Sequence, residues 1–183
     1  MKNNGNGSFE LQPLPVQAQL SVLNGMVTDD IDGDGNLDIV INANDYGTEV
    51  TTGRYDALNG LVLTGDGKGG FSPQTILQSG IYIPGNGKSL LKLRSGDARY
   101  LLAAGQNRGP LKIFKLNKNV SFIPLQATDA TALITFKNGK LQKQECYYGS
   151  SFLSQSARYL TIHPDVLSVT ITSVDGKQRT VQY

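Results

Sequence analysis

The apolar residues of this chain fall in short runs that alternate with polar residues, and each run ends at Gly, Asn, Asp or Pro. A period of two residues places one side of an extended segment in a core, whereas an amphipathic helix needs a period near 3.6 residues. Only residues 150–160 could hold a helical turn. The runs that predict strands are residues 37–42, 61–64, 111–116, 132–136 and 166–172. The sequence therefore predicts an all-β fold.

The composition agrees with this fold class and excludes several functions. Of the 15 acidic residues 12 are Asp, which favours turns and caps over exposed helical faces. The net charge of +2 gives no electrostatic basis for binding nucleic acid. No apolar run approaches the roughly 18 residues that a membrane-spanning segment requires. The first residues lack the apolar core of a signal peptide, and we expect the chain to be a fragment of a longer protein.

A repeat with an offset of 62 residues runs through the first two thirds of the chain. Phe9 and Phe71 each follow a Gly-rich turn at this offset, and residues 38–47 match residues 100–109 in the same way. A repeated unit of several short strands is typical of a β-propeller blade. The predicted organisation is a blade tail (1–15), one blade (16–74), a diverged blade (75–124) and a separate small β-domain (125–183).

The densest chemical signal is acidic, since five of the 12 Asp lie between positions 29 and 38. From Asp30 onwards, carboxylates occupy positions 1, 3, 5 and 9 of a nine-residue segment, and Gly35 stands at position 6. This is the spacing at the start of an EF-hand calcium loop, where alternating carboxylates turn inward and the glycine permits a sharp bend. The carbonyl of Asn36 can supply one more oxygen.

The alternatives to a calcium loop of this kind are an ion-free surface turn and an EF-hand proper. An Asp- and Gly-rich surface turn without an ion is one of them, although four spaced carboxylates are hard to obtain from turn preference alone. An EF-hand proper is excluded, because position 12 is Ile41 rather than Glu and strands instead of helices flank the loop.

Residues 30–41, with the strand at 61–63 and the Gly-rich turn at 65–71, resemble an FG-GAP/VCBS repeat. Such repeats form β-propeller blades in which an Asp loop between two strands binds calcium. The resemblance covers about residues 1–124. It implies incomplete propeller blades and Ca²⁺ ligands at the side chains of Asp30, Asp32, Asp34 and Asp38 and the carbonyl of Asn36.

The second repeat has lost the acidic pattern. At the same offset, Lys92, Arg94, Gly96 and Tyr100 stand at the four aspartate positions. We expect this loop to keep its length and to bind no metal, so that the chain binds one ion. Lys92 and Arg94 are then either solvated or replace the ion as an internal cation, for example by pairing with Asp97.

Residues 144–156, with 169–171 and 175–177, resemble an ASPIC/UnbV domain, which commonly follows such repeats at the end of long secreted or surface proteins. The match departs from that family at residues 162–164 and 172–173. His163 precedes Pro164 and is interpreted as a turn residue. The lone Cys146 is interpreted as a half-buried packing residue, and it cannot form an internal disulfide.

Three classes of function follow. The first is a non-catalytic, calcium-binding scaffold or binding module from a secreted or cell-surface protein, with the remaining blades of the parent propeller as its partners. The second is an adhesion module that recognises an extracellular protein or glycan through Tyr46, Tyr55 and Tyr82. The third, part of a polysaccharide-acting enzyme, lacks paired carboxylates, and we expect no enzyme activity. Two blades cannot close a ring, so self-association is expected to cover their exposed faces.

Overall fold

The computed structural model describes residues 1–97, 99–118 and 120–183. Within them the chain is almost entirely antiparallel β-structure, which confirms the predicted all-β class. A hairpin of β1 (Lys2–Asn3) and β2 (Phe9–Glu10) begins the chain, and a short 3-10 turn (Val16–Gln19) follows it. No helix in the described ranges is long and apolar enough to cross a membrane.

The first large sheet is a meander in which each of four strands pairs with the next along the chain. Its second strand, Asp38–Ala43, is buried on both faces, which is why the sequence of this strand is a nearly continuous apolar run rather than an alternation. The strands are β3 (Leu23–Asp29), β4 (Asp38–Ala43), β5 (Leu61–Gly65) and β6 (Phe71–Gln74).

The second sheet is a three-stranded meander that begins after the short helix α1 (Ile76–Ser79). This helix lies outside the segment where the sequence suggested a turn of helix. Thr75 and Gln78 form a capping box at its start, and Gly80 ends it with a left-handed backbone. The strands of the sheet are β7 (Gly87–Arg94), β8 (Tyr100–Gln106) and β9 (Lys112–Lys115).

The third sheet lies in the C-terminal part, with the strand order β12-β11-β14-β15. Its strands are β11 (Asp129–Phe136), β12 (Leu141–Glu145), β14 (Val166–Ser173) and β15 (Gln178–Gln182). A separate pair joins β10 (Ser121–Pro124) to β13 (Tyr159–Ile162). The sequence predicts that residues 121–124 belong to the second blade, whereas β10 pairs with a strand of the C-terminal part.

The first two sheets pack face to face over an apolar core. This core draws Val40 and Val62 from the first sheet, Leu90 and Leu102 from the second, and Tyr159 from β13. At the contact between β3 and β7, a β-carbon on Gly25 would overlap the backbone of Leu90, so only glycine allows this approach. The C-terminal part has a core of its own between its sheet and the β10–β13 pair.

The segment at residues 150–160 contains no helix and instead covers the free edges of β3 and β7. Three serine hydroxyls accept edge N–H groups at 3.0 Å each: Ser151 from Met26, Ser154 from Leu90 and Ser156 from Lys92. The N–H of Ala157 donates to the carbonyl of Lys92 at 2.8 Å. Unpaired strand edges can pair with another chain, so these bonds protect the edges of β3 and β7, which the sequence pattern did not predict to be covered.

The repeat predicted at an offset of 62 is visible in the strand pairing. Asn3 pairs with Phe9 in the first hairpin, and Gly65 pairs with Phe71 in the β5–β6 hairpin. Asp38 and Tyr100 also correspond, since each begins the second strand of its sheet.

Candidate metal centre

The candidate site is the loop that joins β3 to β4. Strand β3 ends at Asp29, strand β4 begins at Asp38, and these two residues face each other across the ladder. The acidic segment therefore folds over the end of a strand pair, where its carboxylates converge on the enclosed backbone.

Two buried carboxylates organise the loop from within. Asp30 accepts the N–H groups of Gly33 at 2.7 Å and Gly35 at 2.9 Å, one on each oxygen. Asp38 accepts the N–H of Ile31 at 2.8 Å on Oδ2 and that of Gly65 at 2.9 Å on Oδ1. Oδ2 of Asp38 also accepts the N–H of Asp32 at 3.3 Å, so backbone N–H groups shape the loop around both carboxylates.

A third carboxylate completes a group of oxygens that can hold a cation. One oxygen from each of Asp30, Asp32 and Asp38 lies within 4.8 Å of the other two. The first and last are buried, whereas Asp32 is exposed. Asp32 and Asp38 also line a cleft of about 490 Å³ between the first two sheets.

Of the four predicted side-chain ligands, Asp34 does not join this group. The carboxylate of Asp34 accepts the backbone N–H and the side-chain amide of Asn36, both at 2.7 Å. The side-chain oxygen of Asn36 accepts from Lys140. The structure thus brings Asp30, Asp32 and Asp38 together and leaves Asp34 turned along the loop, while the carbonyl of Asn36 stays a predicted ligand.

The electrostatics of the loop favour neutralisation of its charge. Burial raises the pKa of Asp30, and the neighbouring Asp38 carboxylate adds to this increase. Burial also raises the pKa of Asp38, and the charge of Asp32 acts in the same direction. A raised pKa means that the ionised carboxyls are poorly compensated, which is the condition under which a bound cation contributes most.

Two glycines are required by the geometry of the loop. Gly35 has φ +79°, and a β-carbon there would also stand 3.2 Å from the ring of Phe136. A β-carbon on Gly65 would overlap the carbonyl oxygen of Leu37, so this residue is set by close approach. The prediction that position 6 of the loop needs glycine is consistent with this geometry.

The loop of the second sheet differs from its predicted form. Lys92 and Arg94 lie in β7, and only residues 95–99 separate this strand from β8, so the loop is shorter than residues 30–37 of the first sheet. The expectation of a conserved loop length was wrong, because the strand pairing extends to Arg94 and Tyr100.

Lys92 is neither solvated nor paired with Asp97. Its ammonium lies 2.9 Å from Oδ2 of Asp29, and the two side chains are 14% and 2% exposed. The same oxygen accepts the hydroxyl of Thr161 at 2.9 Å. Asp97 pairs with Arg99 instead. An internal cation therefore does serve the acidic region, but it neutralises the residue before the loop rather than replacing an ion in its own sheet.

Residues from the C-terminal part also reach the loop, and no local sequence pattern predicts these contacts. His163 lies in a turn, as expected, but it is buried, and its Nε2–H donates to the carbonyl of Asp30 at 2.9 Å. Lys140 and Gln142 both donate to the carbonyl of Gly35. Cys146 is half-buried as predicted, and burial raises the pKa of its thiol.

The three tyrosines considered for adhesion do not share one environment. Tyr46 donates its hydroxyl to Asp56 at 2.6 Å, and the guanidinium of Arg54 lies 4.8 Å from its ring centre. Tyr55 pairs through its backbone with Asp45. Tyr82 is half exposed and lies in the segment that connects α1 to β7.

No protein-family model matches the chain, and no curated protein and no solved structure matches it either. The chemistry of the acidic loop and the repeat in the sequence are therefore what indicate a function.

Proposed function

We propose that the loop from Asp30 to Asp38 binds one Ca²⁺ and that the ion stabilises the first sheet as a blade of an incomplete FG-GAP/VCBS-type propeller. The observation that carries this proposal is the convergence of the Asp30, Asp32 and Asp38 oxygens within 4.8 Å of one another. Calcium takes six to eight oxygen ligands in a flexible arrangement, so backbone carbonyls and water would supply the rest.

The donor set favours a hard cation over a transition metal. The three converging groups are all carboxylates, and carboxylate oxygens suit calcium, magnesium or manganese rather than softer metals. The loop lacks the bidentate Glu at position 12 of an EF-hand, which favours weak binding suited to millimolar calcium outside cells. This supports a secreted or cell-surface location for the parent protein.

The role that we propose is non-catalytic. A meander of four strands packed face to face on a second meander supports a scaffold of blades, and the remaining blades of the parent protein would be its partners. The ion would bind the native state only, and would thereby stabilise the blade.

We expect added calcium to raise the melting temperature of metal-stripped protein. A ligand at a hundredfold excess over its Kd adds about 2.7 kcal/mol of stability. At about 2–4 °C per kcal/mol for a chain of this size, the melting temperature rises by roughly 5–10 °C. Calorimetric titration is expected to give one ion per chain, since the second loop supplies only Asp97 as a carboxylate.

The matched variants for this experiment are Asp32→Ala and Asp97→Ala. Asp32 belongs to the converging group, whereas Asp97 occupies an exposed turn of the second sheet. We expect the first variant to lose most of the calcium response and the second to keep it. Equal melting temperatures in calcium and in chelator for the parent protein would refute the calcium site.

Acidification should weaken the calcium response at a higher pH than it would if the ligands were ordinary, exposed aspartates. Because burial raises the pKa of Asp30 and Asp38, protons compete with the ion at pH values above the usual range of aspartate. In chelator the pH dependence has the opposite sign. A carboxyl group whose pKa is raised in the folded state makes the protein less stable as pH rises through that pKa. The check is the calcium-induced shift in melting temperature, measured from about pH 7 down to about pH 4, close to the ordinary pKa of aspartate. A shift that stays constant over this interval would contradict the prediction.

A further inference from the structure

The C-terminal sheet contacts the outer turn of the acidic loop through its β11–β12 hairpin. The ammonium of Lys140 donates to the carbonyl oxygen of Gly35 at 2.6 Å and to the side-chain oxygen of Asn36. The side-chain amide of Gln142 donates to the same carbonyl of Gly35 at 3.1 Å. These partners are more than 100 residues apart in sequence, so the contact exists only in the folded chain.

Contacts with Phe136 and Asn138 hold Lys140 in this position. Its ammonium lies 5.8 Å from the centre of the Phe136 ring, and the edge of the same ring packs against Gly35. The hairpin turn fixes the backbone, because the N–H of Lys140 donates to Oδ1 of Asn138 at 2.9 Å. The ammonium thus contacts two oxygens of the loop proposed to bind the cation.

We propose that Lys140 is a tethered cation that sets the affinity of the loop for Ca²⁺. This inference rests on the proposed calcium site and adds the residue that tunes it. The ammonium occupies the oxygens of Gly35 and Asn36 and repels a divalent ion bound beside them. The site is therefore weaker than its carboxylates alone would make it.

Lys140 and Gln142 act on the ion with opposite signs. Both hold the carbonyl of Gly35 and so fix the turn, but only Lys140 carries a charge. Removal of the charge relieves its repulsion of a divalent ion and therefore favours ion binding, by an amount that the local screening sets. Removal of the Gln142 amide loosens the turn without a charge effect and is expected to weaken binding.

The test is calorimetric titration of calcium into the full metal-stripped chain and into three variants. Lys140→Met removes the charge at the loop, and Gln142→Leu removes the neutral donor. Lys177→Met is the matched control, because it makes the same change of net charge in the β14–β15 turn of the same sheet, where Lys177 is exposed and paired with Asp175. Circular dichroism spectra and melting curves in chelator establish that each variant is folded.

We expect Lys140→Met to bind calcium at least a few-fold more tightly than the parent protein, with a larger loss of affinity on added salt, because salt screens the repulsion by Lys140 in the parent only. Gln142→Leu should bind more weakly, and Lys177→Met should bind as the parent does. Calcium binding by Lys140→Met alone would also support the tethered cation. If the parent binds calcium and Lys140→Met binds equally or less tightly, the tethered cation is refuted while the calcium site stands. If no protein binds calcium, both proposals fail.

Discussion

Lys92→Ala is expected to cause the largest loss of stability of any single change near the acidic loop. Removal of the ammonium leaves the carboxylate of Asp29 buried without its cation, although the hydroxyl of Thr161 and the N–H of Asp30 still donate to it. Breaking one partner of a buried ion pair costs about 3–5 kcal/mol. For a chain of this size the melting temperature should fall by roughly 6–20 °C.

The structural reason for so large an effect is that the pair joins three parts of the fold. Asp29 ends β3 in the first sheet, Lys92 lies in β7 of the second, and Thr161 lies in β13 of the C-terminal part. The ammonium also lies 4.9 Å from the ring centre of Tyr159, which belongs to the core between the sheets. Loss of the charge therefore weakens the contact between sheets as well as the neutralisation of Asp29.

Two further variants separate the ion pair from simple packing. Lys88→Ala, in the same strand, removes an ion pair with Asp45 that is more exposed. The side chains of Lys88 and Asp45 are 21% and 35% exposed, so the loss of stability should be smaller. The double variant Asp29→Asn with Lys92→Met removes both charges and should recover much of the stability. A Lys92→Ala protein that melts where Lys88→Ala melts would contradict the proposed role of the pair.

The strands that the sequence predicted are those in which neighbouring residues decide the structure. The run at residues 37–42 became β4, and the run at 166–172 became β14, because apolar period and turn residues are local signals. The acidic loop was predictable for the same reason, since its spacing, its glycine and the flanking strands all lie within a few residues.

The partners of the loop could not be predicted because they are remote in sequence. Lys92 and Asp29 are 63 residues apart, and His163 and Asp30 are 133 residues apart. Nothing in the local pattern around Lys92 distinguishes a solvated lysine from one that crosses to another sheet. The shortened second loop was missed for a related reason: the repeat offset aligns Asp38 with Tyr100, but pairing of β7 with β8 continues up to Arg94.

Gly65→Ala is expected to destabilise the fold and the calcium site together. A β-carbon at this position would overlap the carbonyl oxygen of Leu37, the residue that leads into β4. Backbone cannot yield as a flexible side chain can, so β5 must move away from the end of the loop. Overpacking of this kind costs about 1–3 kcal/mol.

The same movement withdraws the N–H of Gly65 from Oδ1 of Asp38, a bond of 2.9 Å to a fully buried carboxylate. A buried charged group that loses a donor costs about 1–3 kcal/mol more, so we expect a total loss of about 3 kcal/mol in chelator. Because Asp38 is one of the three converging ligands, the rise of melting temperature with calcium should also shrink.

Gly96→Ala is the matched control, since a β-carbon there meets no atom within 4 Å and the residue lies in the corresponding turn of the second sheet. It should melt close to the parent protein and keep the full calcium response. Melting curves in calcium and in chelator separate the two effects of Gly65→Ala. A protein that melts lower yet keeps the full calcium increment would mean that Gly65 supports the strand without positioning Asp38. A smaller calcium-induced rise in melting temperature would instead mean that the last residue of β5 positions the ligand at the start of β4, through one backbone N–H.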